Sequence, residues 1–152
     1  MRNHDGGSLV LSWGLEEGSE LSVEQIALTM PADDAFQRVA HLVLGGLASR
    51  HDLTVETLED LTLALDTLLE RYGDAIDEVT VRMSFADDAI RMDVGPFVGA
   101  DVRAEIELET AGALDVHRIL AAVCDDVSVT EHDGGQWVEL TRRARSTARR
   151  SA

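Results

Sequence analysis

Apolar residues along this chain recur with a period of two in some stretches and of three-and-four in others, and the changes of period mark its elements. A short strand is expected at Leu9 to Trp13, then a loop over Gly14 to Ser22 with three glutamates and two glycines. Val23 to Met30 is apolar and β-branched, stops at Pro31 and reads as a strand. Asp33 and Asp34 follow, where negative charge suits the first turn of a helix. From Phe36 onward, Val39, Leu42, Val43 and Leu47 keep the spacing of a helix with one buried face. Gly45-Gly46 in its second half implies close packing or a partly flexible turn. Thr54 is the expected N-cap of a second helix running to about Tyr72. Leu58, Leu61, Leu65, Leu68 and Leu69 point inward on it, and Gly73 is its stop.

Strict alternation returns at Val79, Val81, Met83 and Phe85, separated by Thr80, Arg82 and Ser84. Asp87-Asp88 supplies a turn, and Ala89 to Val94 comes back as an antiparallel partner, which Gly95-Pro96 is expected to end. The acidic stretch 98–109 carries no readable pattern, so a lid, a strand and a loop stay open over 98–111. Gly112 to Cys124 reads as a helix through Leu114, Val116, Ile119, Leu120 and Val123. A last hairpin pairs Val127 to Glu131 with Gln136 to Arg142 across His132-Asp133-Gly134-Gly135. Hairpin-linked strands with grouped helices predict an α+β, two-layer sandwich: a mixed, mostly antiparallel sheet with the helices on one face. The chain divides into an N-terminal extension at 1–22, one folded domain at 23–142 and a basic tail at 143–152.

Composition narrows the chemistry. All 13 basic residues among the 152 are arginines, which removes Schiff-base lysines, P-loop lysines and Ser-Lys dyads. Cys124 stands alone, so an intramolecular disulfide and a Cys-cluster metal site are excluded and a reducing, cytoplasmic setting is expected. No apolar run approaches the roughly 20 residues that cross a bilayer. The 29 acids all precede Arg142, whereas Arg142, Arg143, Arg145, Arg149 and Arg150 follow one another without an acid between them. A body this acidic repels phosphate backbones, so general nucleic-acid binding is not expected.

The order of elements, together with certain residues from Ile26 to Arg142, resembles the anti-sigma factor serine kinases, which carry the Bergerat (GHKL) ATP-binding fold of histidine kinases and gyrase. Leu28-Thr29-Met30-Pro31-Ala32-Asp33 is similar to that family's opening, and Glu59-Asp60-Leu61-Thr62-Leu63-Ala64-Leu65-Asp66 to its second helix. The family continues there as Glu-Ala-x-x-Asn, a base and a magnesium ligand, which the resemblance carries onto Asp66 and Glu70. Asp93-Val94-Gly95 is similar to the start of its Asp-x-Gly-x-Gly box, and implies that Asp93 reads adenine and that Gly95 admits the nucleotide. This chain then departs with Pro96-Phe97. Only Gly112-Ala113-Leu114 stands near the phosphate-cradling Gly-x-Gly segment. Val123-Cys124-Asp125-Asp126-Val127-Ser128-Val129 is similar to the family's passage into its final hairpin.

The scaffold thus matches better than the catalytic residues do. Asp66 and Glu70 lie four apart on one helix face and could hold a hard cation, yet a second carboxylate adds charge beside a triphosphate that no lysine offsets. The resemblance therefore implies a protein-binding module that sequesters a sigma factor or binds an anti-anti-sigma partner, with little or no ATP turnover, no cofactor and a homodimeric state. An active ATP- and magnesium-dependent serine kinase is the enzymatic alternative, and a small-ligand or structural domain is the third. Other residues read as ordinary surface or core: five scattered histidines without metal-ligand spacing, Arg118 near Asp115, and Cys124 on an apolar stripe.

Overall fold

A computed structural model describes residues 9–16, 23–86, 88–107 and 114–143. Six strands form one sheet in the order β1-β2-β3-β4-β6-β5: β1 (Val10–Glu16), β2 (Val23–Pro31), β3 (Glu78–Phe85), β4 (Ala89–Phe97), β5 (Asp126–His132) and β6 (Gly135–Arg143). Every neighbouring pair is antiparallel, which corrects the expectation of a mixed sheet. Among the described residues there are four α-helices, α1 (Asp34–Arg50), α2 (Val55–Tyr72), the single-turn α3 (Val102–Ile106) and α4 (Leu114–Val123), and a short 3-10 turn (Gly73–Ala75) follows α2.

The helix ends are set locally. Asp33 accepts from the backbone N–H groups of Ala35 and Phe36, and Thr54 Oγ1 accepts from that of Thr57. α1 runs unbroken through Gly45-Gly46, where an added β-carbon would meet nothing within 4 Å; the glycines form neither a turn nor a close contact. In the β5–β6 hairpin, Asp133 and Gly134 take φ of 54° and 83°, the positive values that a two-residue turn requires.

Alternation decides the two faces of the sheet. Ile26, Leu28 and Met30 of β2, Val81 and Met83 of β3, Met92 and Val94 of β4, and Val138 and Leu140 of β6 all turn to the same side. There they form one core with Leu44 and Leu47 of α1, Leu61, Leu65 and Leu68 of α2, and Leu120 of α4. Burial of this apolar surface is the main stabilising contribution to the domain.

Three further boundaries differ from expectation. β1 continues to Glu16, because its backbone pairs with Val23 to Thr29 past Gly14. β4 continues through a cis Gly95–Pro96 peptide to Phe97, with an irregularity in its pairing to β6 between Val94 and Phe97. Within the acidic stretch, Asp101 accepts from the Ala104 N–H and starts α3, whose Val102 and Ile106 are buried. Gly112 and most of the basic tail lie outside the described residues.

Candidate functional site

The heptad-like run of leucines on α2 sends Leu61, Leu65 and Leu68 into the core and leaves Asp66 on the flank facing α1. Its Oδ1 accepts from Gln37 Nε2 and from His41 Nε2, each at 2.7 Å. Asp66 thus joins the two helices across their contact, and both donors come from α1. Glu70, one turn on, is exposed and lines a cleft of about 400 Å³ with Asp33, Asp34, Gln37 and Asp74. Four carboxylates and no cation line that cleft, so its field disfavours a triphosphate and attracts positive charge. Among the described residues, no three His, Cys, Asp or Glu side chains come together to hold a metal ion.

Asp93 stands elsewhere. On β4 it alternates with Met92 and Val94, both fully buried against the helices, so its carboxylate lies on the sheet's opposite face. There Arg91 Nε donates to Asp93 Oδ1 at 3.1 Å while Arg91 Nη2 meets Glu139 Oε1 at 2.8 Å. Thr130 Oγ1 completes the row by donating to Glu139 Oε2 at 3.0 Å. Burial pushes the Asp93 carboxyl above its ordinary range, opposed by the hydrogen bond from Arg91 and assisted by the charge of Glu139. The sheet therefore separates Asp93 from Asp66 and Glu70, and the residue that β4 turns toward the helices at this point is Val94.

Apolar groups of β4 and α3 join the core in this part of the described structure. Phe97 is 1% exposed and its ring lies 5.3 Å from that of Tyr72 at a tilt of 54°. Beside it are Val102 and Ile106 of α3, which is tethered to α2 through Glu105. Arg71 Nη2 meets Glu105 Oε2 at 2.7 Å, and the Tyr72 hydroxyl donates to Oε1 at 2.7 Å. The Arg71 guanidinium holds the Glu105 carboxyl below its usual range, and burial pushes the Tyr72 phenol up. Gly95 serves packing: a β-carbon there would stand 2.9 Å from both the Gln136 carbonyl oxygen and Trp137 Cδ2. Among the described residues, Val94 faces inward and Phe97 is seated on Tyr72, so neither Asp93 nor Gly95 lines the space between sheet and helices as an adenine contact would.

Other candidates fall into structural settings. His51 stacks on Phe85 at 4.1 Å and meets Glu24 Oε1 at 2.7 Å, and His117 Nδ1 bonds to the Ile106 carbonyl. Cys124 is buried, which pushes its thiol up to about 12, and Arg118 is exposed. Sequence reasoning did not single out Trp137, which is 2% exposed although it lies on the face away from the helices. His132 stacks on its ring at 4.7 Å, and the Arg82 guanidinium lies 4.8 Å from the ring centroid. The strict alternation with Val138 and Leu140 was the available signal for its placement.

Compared with known proteins, the chain matches no family model and no curated protein.

Proposed function

We propose that this chain is a non-catalytic, protein-binding regulatory module of anti-sigma type, cytoplasmic and homodimeric, on a Bergerat-like scaffold whose nucleotide chemistry has been lost. One observation carries the loss: β4 presents Val94, 0% exposed, to the helix layer where a nucleotide-reading carboxylate would have to stand. A serine kinase needs base, metal ligand and adenine contact in one compartment. Here Asp66 is engaged by Gln37 and His41, Glu70 opens into a cleft of like charge, and Asp93 lies across the sheet. The remaining activity is recognition, in which surface complementarity to a sigma factor or an anti-anti-sigma protein sequesters one partner until a rival displaces it.

Calorimetric titration with ATP and magnesium, followed by capture assays against sigma factors and anti-anti-sigma proteins, tests this reading. The expected result is no nucleotide heat up to millimolar ligand and saturable capture of one partner. Micromolar ATP affinity that Asp93→Ala abolishes would establish the kinase reading instead. Absence of both activities would favour a structural or small-ligand domain.

A further inference from the structure

α2 is an acidic helix with little to neutralise it. Glu56, Glu59, Asp60, Asp66 and Glu70 stand on it against one cation, Arg71, which Glu105 of α3 engages at 2.7 Å. Asp66 is turned to Gln37 and His41 of α1. Glu56, Glu59, Asp60, Leu63, Thr67 and Glu70 recur at spacings of three and four and share the outward flank. Leu63, in the middle of that flank, is 46% exposed, and no helix or strand of the described structure covers it. Glu56 and Asp60 are four apart, so like charges adjoin along the helix. Among the described residues no cation pairs with Glu56, Glu59 or Glu70.

The one part of the chain with the complementary charge begins at this flank. Arg142, Arg143, Arg145, Arg149 and Arg150 come after the last acid, whereas the chain before them holds 29 acids against eight arginines. The first of the five is already on α2: Arg142 Nη2 meets Asp60 Oδ2 at 2.8 Å, with the two side chains 22% and 24% exposed. A pair this sheltered is screened less by salt than a surface pair. The Arg143 N–H donates to Asp125 Oδ2 at 2.6 Å and pins the end of β6 beside that contact.

Reach decides how much of the flank the arginines can cover. Glu70 follows Asp60 by ten residues, about 15 Å along the axis and less than a quarter turn around it. Arg149 follows Arg142 by seven residues, a span of up to about 23–25 Å when extended. At Glu70 the flank opens into the cleft of about 400 Å³ that Asp33, Asp34 and Asp74 also line. Met30 and Leu69 line the same cleft. That combination suits an arginine, whose aliphatic stem packs on apolar side chains while its guanidinium fork meets carboxylates.

We propose that the arginine-rich segment after Arg142 folds back over the outward flank of α2 in the same chain, from Asp60 past Leu63 and Thr67, and sets Arg149 and Arg150 in the cleft at Glu70. The segment is an electrostatic strap, and a cationic partner reaches this flank only by displacing it. The strap goes beyond the proposed function and stands whichever partner the domain binds, because both sides of the contact belong to this chain.

Trypsin, which cleaves after arginine, tests this on the full chain. At low salt, cleavage after Arg145, Arg149 and Arg150 is expected to be several-fold slower in wild type than in the Glu59→Gln/Glu70→Gln double variant. Both glutamates are exposed, so circular dichroism of the variant should match wild type. In about 1 M salt, where the screening length is about 3 Å, the two should be cut alike. Asp133→Asn, in the turn at the far end of β6, removes one charge away from the flank and should keep the wild-type rate. A nitroxide on Thr67→Cys, in a Cys124→Ser background, should broaden the amide signals of 145–150 at low salt, equally so after tenfold dilution. Equal low-salt cleavage of wild type and the double variant overturns the proposal. So does protection that Asp133→Asn relieves as fully, or broadening that is absent or that fades on dilution, which would put the arginines on a second copy.

Discussion

Gly95 lies beneath Trp137 so closely that a β-carbon on it would stand 2.9 Å from indole Cδ2. The indole is held on its other contacts by His132 and Arg82, leaving it little room to move away. Gly95→Ala is therefore expected to destabilise the domain by about 1–3 kcal/mol, the usual range for overpacking. Urea unfolding with an unchanged slope checks this. A glycine kept only to admit a ligand would tolerate alanine in the free protein.

Phe97 occupies the space against Tyr72 and the buried residues of α3. Phe97→Ala removes a ring that is 1% exposed and should cost about 3–5 kcal/mol in thermal or chemical unfolding. If the truncated protein retained wild-type stability, the ring would not be part of the core.

Asp66 holds α1 to α2 through Gln37 and His41. Asp66→Ala is expected to lower stability by about 1 kcal/mol, since the freed donors are partly solvated. Hydrogen exchange should quicken in α1 around residues 37–44 more than in β4. A catalytic base, by contrast, would leave those amides unchanged.

The two perturbed carboxyls predict opposite pH behaviour. Glu105, depressed by Arg71, contributes stability that is fully present above the ordinary glutamate value of 4.5 and is lost as pH falls through its lower folded value. The stability difference between wild type and Glu105→Gln should therefore shrink in acid. Asp93 is raised by burial, so its ionised form carries a penalty at neutral pH that disappears below its ordinary value of 3.8. Asp93→Asn should be at least as stable as wild type at pH 7, with any gain vanishing in acid. Melting curves at neutral and acid pH separate the two.

Burial holds the Cys124 thiol up to about 12, which leaves almost no thiolate at pH 8. A thiol reagent at pH 8 should label the native chain only at the rate of local opening, and rapidly in denaturant. Fast native labelling would place the sulfur at the surface.

Local signals were enough to place most elements. The caps at Asp33 and Thr54, the Gly73 stop, the β3–β4 alternation and the Asp133-Gly134 turn each depend on residues within a few positions of one another. The same alternation already assigned Val94 to the face of Ile90 and Met92, and with it Asp93 to the other side; motif spacing alone obscured that. What the sequence determined, then, was which way each side chain points along its own element. The tertiary structure alone decided that β4 passes Pro96 to seat Phe97 on Tyr72, that Asp66 meets α1, and that Trp137 is covered by residues of β3 and β5. Periodicity is set by the backbone geometry of one element, whereas these contacts join residues far apart in the chain and exist only once the layers pack.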